Sequence, residues 1–590
     1  MQSQPFMGAL AAELCVEMPD RPASNPVLCH YSKPWPIPNS VVSQVLVSYL
    51  QRLANEEESA AEMKYVDISV APTASTGKQG KTQGGDLFQQ VRPALKTSTP
   101  PADGAAGSQK SSPTERVLFL QENLRQIGNG IEVAGIRRAH LFHGQLGITP
   151  WILTSNFSPR LRENEASLKD KGMLPSETKV LNVYEWLVDM SSQGLLTPLA
   201  SSRPSRSPGS SSSASAAKPS LRKVSHPAAW DSTQVGCEEF GLANGQILMR
   251  KTFKSGRSGA DLQSIELRDA QGTAVTHATE SDFVCAMMAA NLEEDVTWHF
   301  LVDKNKMYRK LRQSTASHRF RHTVSAFLHS THRLPNGQLK TSYRHLFEDA
   351  DSCDSLIVAT EEQHRDLLES GMPATKLNVI PHALPGVPEI VESASLQEKR
   401  VIYLARYTPE KQHELLFQVF ERVLKRVPDA QLHTHGVGPL QATLQARVDA
   451  SGLAGSIHIH GYANDVATLF KESSLGVMAS NEEGFSLFGL ECLAHARPLV
   501  AFSVKYGPKD LLEGRNAGIL IPPGHVDAMA DAIVALLEDP EKAYDLRFGA
   551  LTSAERFTAD KVAQRWSKWW ADVREIARHR EANTLTDASL

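Results

Sequence analysis

The stretch SNEEGFSLFGLECLAHARPLVAF, residues 480–502, constrains this chain more than any other. The apolar run before it, SLGVMAS (474–480), reads as a short buried strand. A turn carrying Gly484, Phe485, Ser486 and Leu487 follows, and an apolar helix then runs to the HARP breaker at 495–498. Strand, glycine-bearing loop and helix start is how an α/β sheet presents backbone N–H groups to an anion. Two glutamates, Glu483 and Glu491, stand eight positions apart across that loop. The first falls at the mouth of the loop and the second in the first turns of the helix, facing the same crevice. A carboxylate can accept hydrogen bonds from two neighbouring hydroxyls. Two such groups around an anion cradle suit a ligand with a sugar at one end, a ribose at the other and a diphosphate between.

A second strand–loop–helix lies upstream in KRVIYLARYTPEKQHELL (399–416). VIYLA reads as a buried strand, and Leu415, Leu416, Val419, Phe420, Val423 and Leu424 recur at helical spacing. Arg406 closes the strand and Lys411 opens the expected helix. A lysine in a first turn opposes the helix dipole by about 0.3–1 kcal/mol, and a bound anion would remove that conflict.

These segments occur in a fixed order: LARYTPEKQ, HTHGVGPLQATL (433–444), IHIHGYANDVATLF (457–470), EEGFSLFGLE and NAGILIPPG (516–524). In order and spacing they resemble the retaining, nucleotide-sugar-dependent glycosyltransferases of the GT-B fold. The resemblance is to the bacterial enzymes that glycosylate poly(glycerol phosphate) or poly(ribitol phosphate) wall polymers, and to those that put N-acetylglucosamine on serine-rich proteins. The phrase VKYGPKDLL (504–512) points to that subgroup. The resemblance spans about residues 116–575 and is looser upstream than in the C-terminal half. It implies an α/β protein with two Rossmann-like domains facing a cleft and a small antiparallel β insertion in the first. By position, Arg406 and Lys411 match the pair that neutralises the donor diphosphate. Glu483 matches the glutamate beside the transferred sugar, and Glu491 the one that holds the ribose hydroxyls. Backbone N–H groups of Gly484, Phe485, Ser486 and Leu487 would bind sugar and phosphate oxygens, and Tyr462 falls in the base-binding segment. The resemblance implies a UDP-sugar donor, no cofactor and no bound metal.

Length and composition agree with this reading. A chain of 590 residues is too long for one core, and about three or four structural units are expected. A net charge of −4 argues against a general nucleic-acid or bilayer-surface binder. The six cysteines are scattered, without CxxC pairs or zinc spacing, and read as reduced thiols of a cytoplasmic protein. No run reaches the length of a membrane span. The N-terminus, MQSQPFMGALAAELCVEMPD, carries acids early and lacks a basic start, so it reads poorly as a signal peptide.

Along the chain, residues 1–114 form an extension expected to be largely disordered, apart from a helical pattern at 41–58. The first Rossmann-like domain is read at 115–225 and 297–398, with a Ser-rich linker at 201–220. It opens with RVLFLQENLRQIGNGIEVAGIRRAHLF (116–142), a strand, a loop with Gly128 and Gly130, and an amphipathic helix. In the family that loop faces donor and acceptor. PWILTSNF (150–157) and KVLNVYEWL (179–187) read as further strands. Alternating strands at 226–296 read as the β insertion, to which the resemblance assigns self-association and acceptor contact. VSAFLH, within 322–337, ends at His329, with His332 beyond; in the family a histidine here lies against the sugar, and His329 is the choice for it, with His332 close behind. The donor domain is read at 399–559. A crossing helix and tail, 560–590, carries a packing stripe of Trp566, Trp569, Trp570 and Val573.

The reaction so implied moves a hexose or N-acetylhexosamine to a hydroxyl of a polymer, glycan or protein, with attack on the face from which the nucleotide leaves. Two other readings stand beside it. One is a noncatalytic partner subunit on the same fold, which should lack some of Arg406, Lys411, Glu483 and Glu491; this chain has all four. The other is a different sugar-nucleotide enzyme, such as an epimerase.

Overall fold

Short apolar strands alternating with helices can bury both sheet faces only by winding into parallel sheets with helical crossovers. The computed structural model describes residues 28–31, 67–70, 114–126, 128–193, 220–256, 259–268, 274–303, 307–313, 320–334, 336–384, 386 and 399–587. The expected 41–58 helix, nearly all of the polar tracts at 72–114 and 201–220, and most of the domain crossing at 385–398 lie outside these. Within Met1–Ser111, one compact unit, strands Leu28–Tyr31 and Asp67–Val70 pair in parallel.

The second unit, Ser112–Leu590, holds two parallel sheets. The first has seven strands in the spatial order Leu377–Val379, Ser355–Val358, His322–Leu328, Thr297–Val302, Glu115–Gln121, Trp151–Thr154 and Val180–Asn182. The other has six, in the order Ile457–His460, Gln431–His435, Arg400–Leu404, Leu475–Met478, Leu499–Phe502 and Gly518–Ile521. Their central strands are buried along their whole length, among them Thr297–Val302, Leu475–Met478 and Leu499–Phe502. In each sheet the first strand in sequence lies in the interior, and the chain reverses direction between it and its fourth. That reversal opens a crevice at the strand C-termini, the usual ligand site of such sheets. The crevices follow Glu115–Gln121 and Thr297–Val302 in one sheet, and Arg400–Leu404 and Leu475–Met478 in the other.

A separate five-stranded antiparallel sheet is inserted in the crossover from Val180–Asn182 to Thr297–Val302. It runs from Arg222–Pro227 to Ala274–His277, and helix Glu280–Asn291 returns the chain to the first sheet. Phe240 anchors it on Tyr184 and Phe157, with ring centroids 5.1 and 5.4 Å apart. Its edge strand Arg222–Pro227 is exposed throughout. The α/β fold class with an antiparallel insertion is thus borne out.

Two local readings are corrected. KVLNVYEWL is not all strand: the side chain of Asn182 accepts the N–H groups of Tyr184 and Glu185 and starts helix Val183–Ser192. Lys411 does not open a helix. It ends the 3-10 turn Pro409–Lys411; Gln412 takes a left-handed conformation (φ 49°), and the helix begins at His413.

The last helix, Ala559–Asp587, lies on the first domain. Trp569 Nε1 donates to Ser325 Oγ at 3.0 Å, Trp566 packs on Phe142, and Arg574 pairs with Glu115 at 2.6 Å. Trp566, Trp569 and Val573 are buried.

Candidate functional site

The segments that carry the motifs meet where the crevices of the two sheets face each other. Arg406 and Lys411 follow strand Arg400–Leu404, and the loop with Glu483 follows the adjacent strand Leu475–Met478. Lys411 Nζ lies 2.6 Å from Glu483 Oε1, with side chains 18% and 11% exposed. Arg406 is more open and pairs with Glu410 at 2.8 Å.

The Glu483 loop is held on three sides. Its N–H donates to Lys505 O at 3.2 Å, and Tyr506 N donates back to Glu483 O at 2.7 Å. Tyr506 Oη and Lys505 Nζ reach Asp366 of the first domain at 3.0 and 2.7 Å. A Cβ on Gly507 would fall 1.4 Å from Phe485 O, so only glycine lets these two loops approach so closely. This is the physical content of VKYGPKDLL: it fixes Glu483 and straps it to the facing domain. Gly484 is just as constrained, since a Cβ there would lie 2.1 Å from His329 O. Ser486 adopts φ 91°, ψ 93°, a sparsely populated conformation costing about 1–3 kcal/mol. Its Oγ accepts from Gly489 N at 3.0 Å and caps helix Leu487–Ala494. The first N–H groups of that helix have no acceptor within it.

Glu491 lies on this helix and pairs with Arg137 Nη2 from helix Gly130–Leu146 of the first domain. Arg137 Nη1 is buried with no hydrogen-bond partner, a donor turned toward nothing in the protein. Tyr462, 38% exposed, lies close enough to Glu491 that burial and then this carboxylate raise its phenol above the usual value. On the first-domain side, Asn129 between Gly128 and Gly130 caps helix Gly130–Leu146 by accepting from Ile131 N and Glu132 N.

His329 follows its strand and bonds through Nε2 to Asp303 Oδ1 at 2.7 Å. Asp303 sits at the end of strand Thr297–Val302 and also receives Arg138 Nη1 at 3.1 Å. Burial works against its charge, but Arg138 and His329 hold the carboxyl well below the usual range. His382 stacks on His329 at 5.7 Å and meets Phe485 edge-on at 5.4 Å. Burial, then His329 and Arg138, hold its imidazole well below the usual value. His332 is fully buried against Tyr506, and burial pushes it down to about 4.

The structure therefore gathers Arg406, Lys411, Glu483, Gly484, Phe485, Ser486, Leu487, Glu491, Tyr462 and His329 around one interdomain cleft. Sequence reasoning missed Arg137, Arg138, Asp303 and His382. Asp303 had a usable signal, an acid just past the strand run TWHFLV; Arg137 and Arg138 had only their place in the helix after the Gly128–Gly130 loop.

Two facing Rossmann-like domains with a cleft between them define the GT-B fold. Residues 398–539 match the family of glycosyl transferases group 1. The structure aligns with Staphylococcus aureus TarM, crystallised with UDP and alpha-GlcNAc-glycerol, at TM-score 0.59 and 18% identity over 77% of this chain and 99% of that one. In sequence the chain is 27% identical over 233 residues to a poly(ribitol-phosphate) alpha-N-acetylglucosaminyltransferase of S. aureus, covering 39% of this chain and 46% of the relative. It is 26% identical over 289 residues to a poly(glycerol-phosphate) alpha-glucosyltransferase of Bacillus subtilis, covering 48% and 42%. It is also 29% identical over 226 residues to an exopolysaccharide phosphotransferase of Streptomyces coelicolor, covering 38% and 24%. The matched stretch spans less than half the length of each of these curated relatives. The likeness to the wall-polymer glycosyltransferases read in the sequence is borne out.

Proposed function

We propose that the chain is a retaining glycosyltransferase that moves a hexose or N-acetylhexosamine from a UDP-sugar to a hydroxyl of a wall polymer, glycan or protein. The observation that carries this is the placement of two carboxylates of one loop–helix unit, Glu483 and Glu491, each against a cation from another segment at the facing crevices, Lys411 and Arg137. A donor diphosphate between them would meet Lys411, Arg406 and the helix N–H groups. These cations would stabilise the charge that grows on the leaving phosphate. Glu483 would accept hydroxyls of the transferred sugar, and Glu491 those of the ribose. His329, oriented by Asp303, would lie against the sugar, and the departing phosphate would take the proton of the acceptor hydroxyl on the same face. Side chains supply the charge for this step, so no metal ion is called on. The fully buried His332 is better suited to hold Tyr506 than to touch a sugar.

Among the described residues no helix is long and apolar enough to cross a membrane. Burial pushes the thiols of Cys353 and Cys492 up to about 12, which makes them inert packing groups. Both facts fit the compartment where nucleotide sugars are made. The exposed edge of the inserted sheet fits self-association or acceptor docking.

The test is a hydrolysis screen across UDP-, GDP- and ADP-sugars, because slow donor hydrolysis needs no acceptor. UDP-sugar hydrolysis that persists in EDTA is the expected result. No hydrolysis and no nucleotide binding would favour the noncatalytic subunit, and acceptor-independent sugar isomerisation an epimerase.

A further inference from the structure

The donor domain carries a feature that the sugar-transfer reading does not use. Strand Gln431–His435 pairs in parallel with the edge strand Ile457–His460, placing His433 opposite His458 and His435 opposite His460. Side chains alternate along a strand, so all four imidazoles share one sheet face. Leu432 and Thr434, on the other face, are buried. His433 Nδ1 lies 3.1 Å from His460 Nε2, and their rings are nearly parallel, 6° apart in plane. His435 stacks on His460 with centroids 4.3 Å apart. One ring nitrogen from each of His433, His435 and His460 lies within 4.8 Å of the other two. His435 Nε2 is buried with no hydrogen-bond partner. His458 is engaged elsewhere, its Nε2 lying 2.6 Å from Gln431 Oε1.

Packing does not require this arrangement, since β-branched and aromatic residues fill a half-buried sheet face without stranding a polar nitrogen. We propose that His433, His435 and His460 form a binding site for a divalent transition-metal ion of the class that prefers imidazole: zinc, nickel or copper. Zinc holds imidazole nitrogens at about 2.0–2.1 Å, which sets tetrahedral neighbours roughly 3.4 Å apart. The His433–His460 pair, at 3.1 Å, stands close to that spacing, and the His435 nitrogen lies within 4.8 Å of both. The fourth position is left to water. Arg400, the cation whose charge acts on these rings, pairs with Glu472, which lessens its repulsion of an ion. The bound ion would tie the edge strand to its neighbour just before the loops that Gly436 N and Gly461 O join at 3.0 Å. It would thereby brace the segment from which Tyr462 projects, without entering the diphosphate chemistry.

The experiment is equilibrium dialysis of the full chain against zinc chloride, followed by cobalt(II) substitution. One ion per chain, with the intense visible absorption of four-coordinate cobalt, is expected. His433→Gln and His460→Gln should each weaken zinc binding by at least about tenfold. His226→Gln and His579→Gln, at exposed histidines, should leave it unchanged. Weak binding at several sites, or equal affinity in all four variants, would overturn the proposal. Should a variant fail to fold, oxidation of the wild-type chain by copper(II) and ascorbate decides the matter. Damage concentrated on His433, His435 and His460 supports the site, and damage elsewhere overturns it.

Discussion

Replacing Lys411 by alanine tests the donor-site reading most sharply, because two different effects can be separated. Lys411 Nζ and Glu483 Oε1 lie 2.6 Å apart with side chains only 18% and 11% exposed, so the pair is largely shielded from solvent. Removing the lysine leaves a mostly buried carboxylate without its cation, which costs about 1–3 kcal/mol of folding stability. Removing Glu483 as well, as Lys411→Ala/Glu483→Gln, eliminates the stranded charge and should recover most of that loss. Turnover behaves differently. If Lys411 stabilises the leaving diphosphate, its loss lowers kcat for UDP-sugar hydrolysis by about 10²–10³-fold, or roughly 2.7–4 kcal/mol, as for other donors aimed at a developing oxyanion. The double variant regains stability but not rate. Calorimetric melting and hydrolysis at saturating donor, well below the melting temperature, measure the two effects independently. A folded Lys411→Ala protein whose kcat stays within about threefold of wild type would refute the reasoning.

Glu491→Ala should weaken donor binding by about 1.5–3 kcal/mol, and less for a nucleotide lacking the ribose hydroxyls; calorimetry showing equal losses for both would contradict a ribose contact. Asp303→Asn leaves Arg138 buried without its partner and should cost about 3–5 kcal/mol in denaturant titrations. The folded carboxyl of Asp303 is held below its unfolded value of about 3.9, so its contribution is full above that pH and fades as pH falls; Asp303→Asn should flatten this part of the acid limb, and an unchanged limb would argue against the charge network. Replacing the inserted sheet, residues 222–277, by a short Gly/Ser link should change the sedimentation mass or the acceptor KM while donor hydrolysis persists; lost UDP-sugar binding in a folded variant of unchanged mass would oppose that role.

Much of the architecture was legible because it depends on local chemistry. Apolar runs as short as LGVM and LVAF, spaced by helical stripes, read as buried strands of parallel sheets. The Gly484–Leu487 loop was legible for the same reason, since a turn and a helix start are made by neighbours in sequence. Boundaries failed where one residue tips the balance between elements: Asn182 caps a helix inside an apparent strand, and Gln412 moves Lys411 from a helix into a turn. What the sequence by itself determined is the identity of the charged and hydroxyl-binding groups and the strand ends on which they sit. Which of them meet was decided by the tertiary structure. Glu491 finds Arg137 across 354 positions of chain, through packing of one sheet's crevice against the other's, and His329 finds Asp303 across 26, through the pairing of adjacent strands in one sheet. The energy of such pairs depends on distance and on exclusion of water, and neither is written in spacing along the chain.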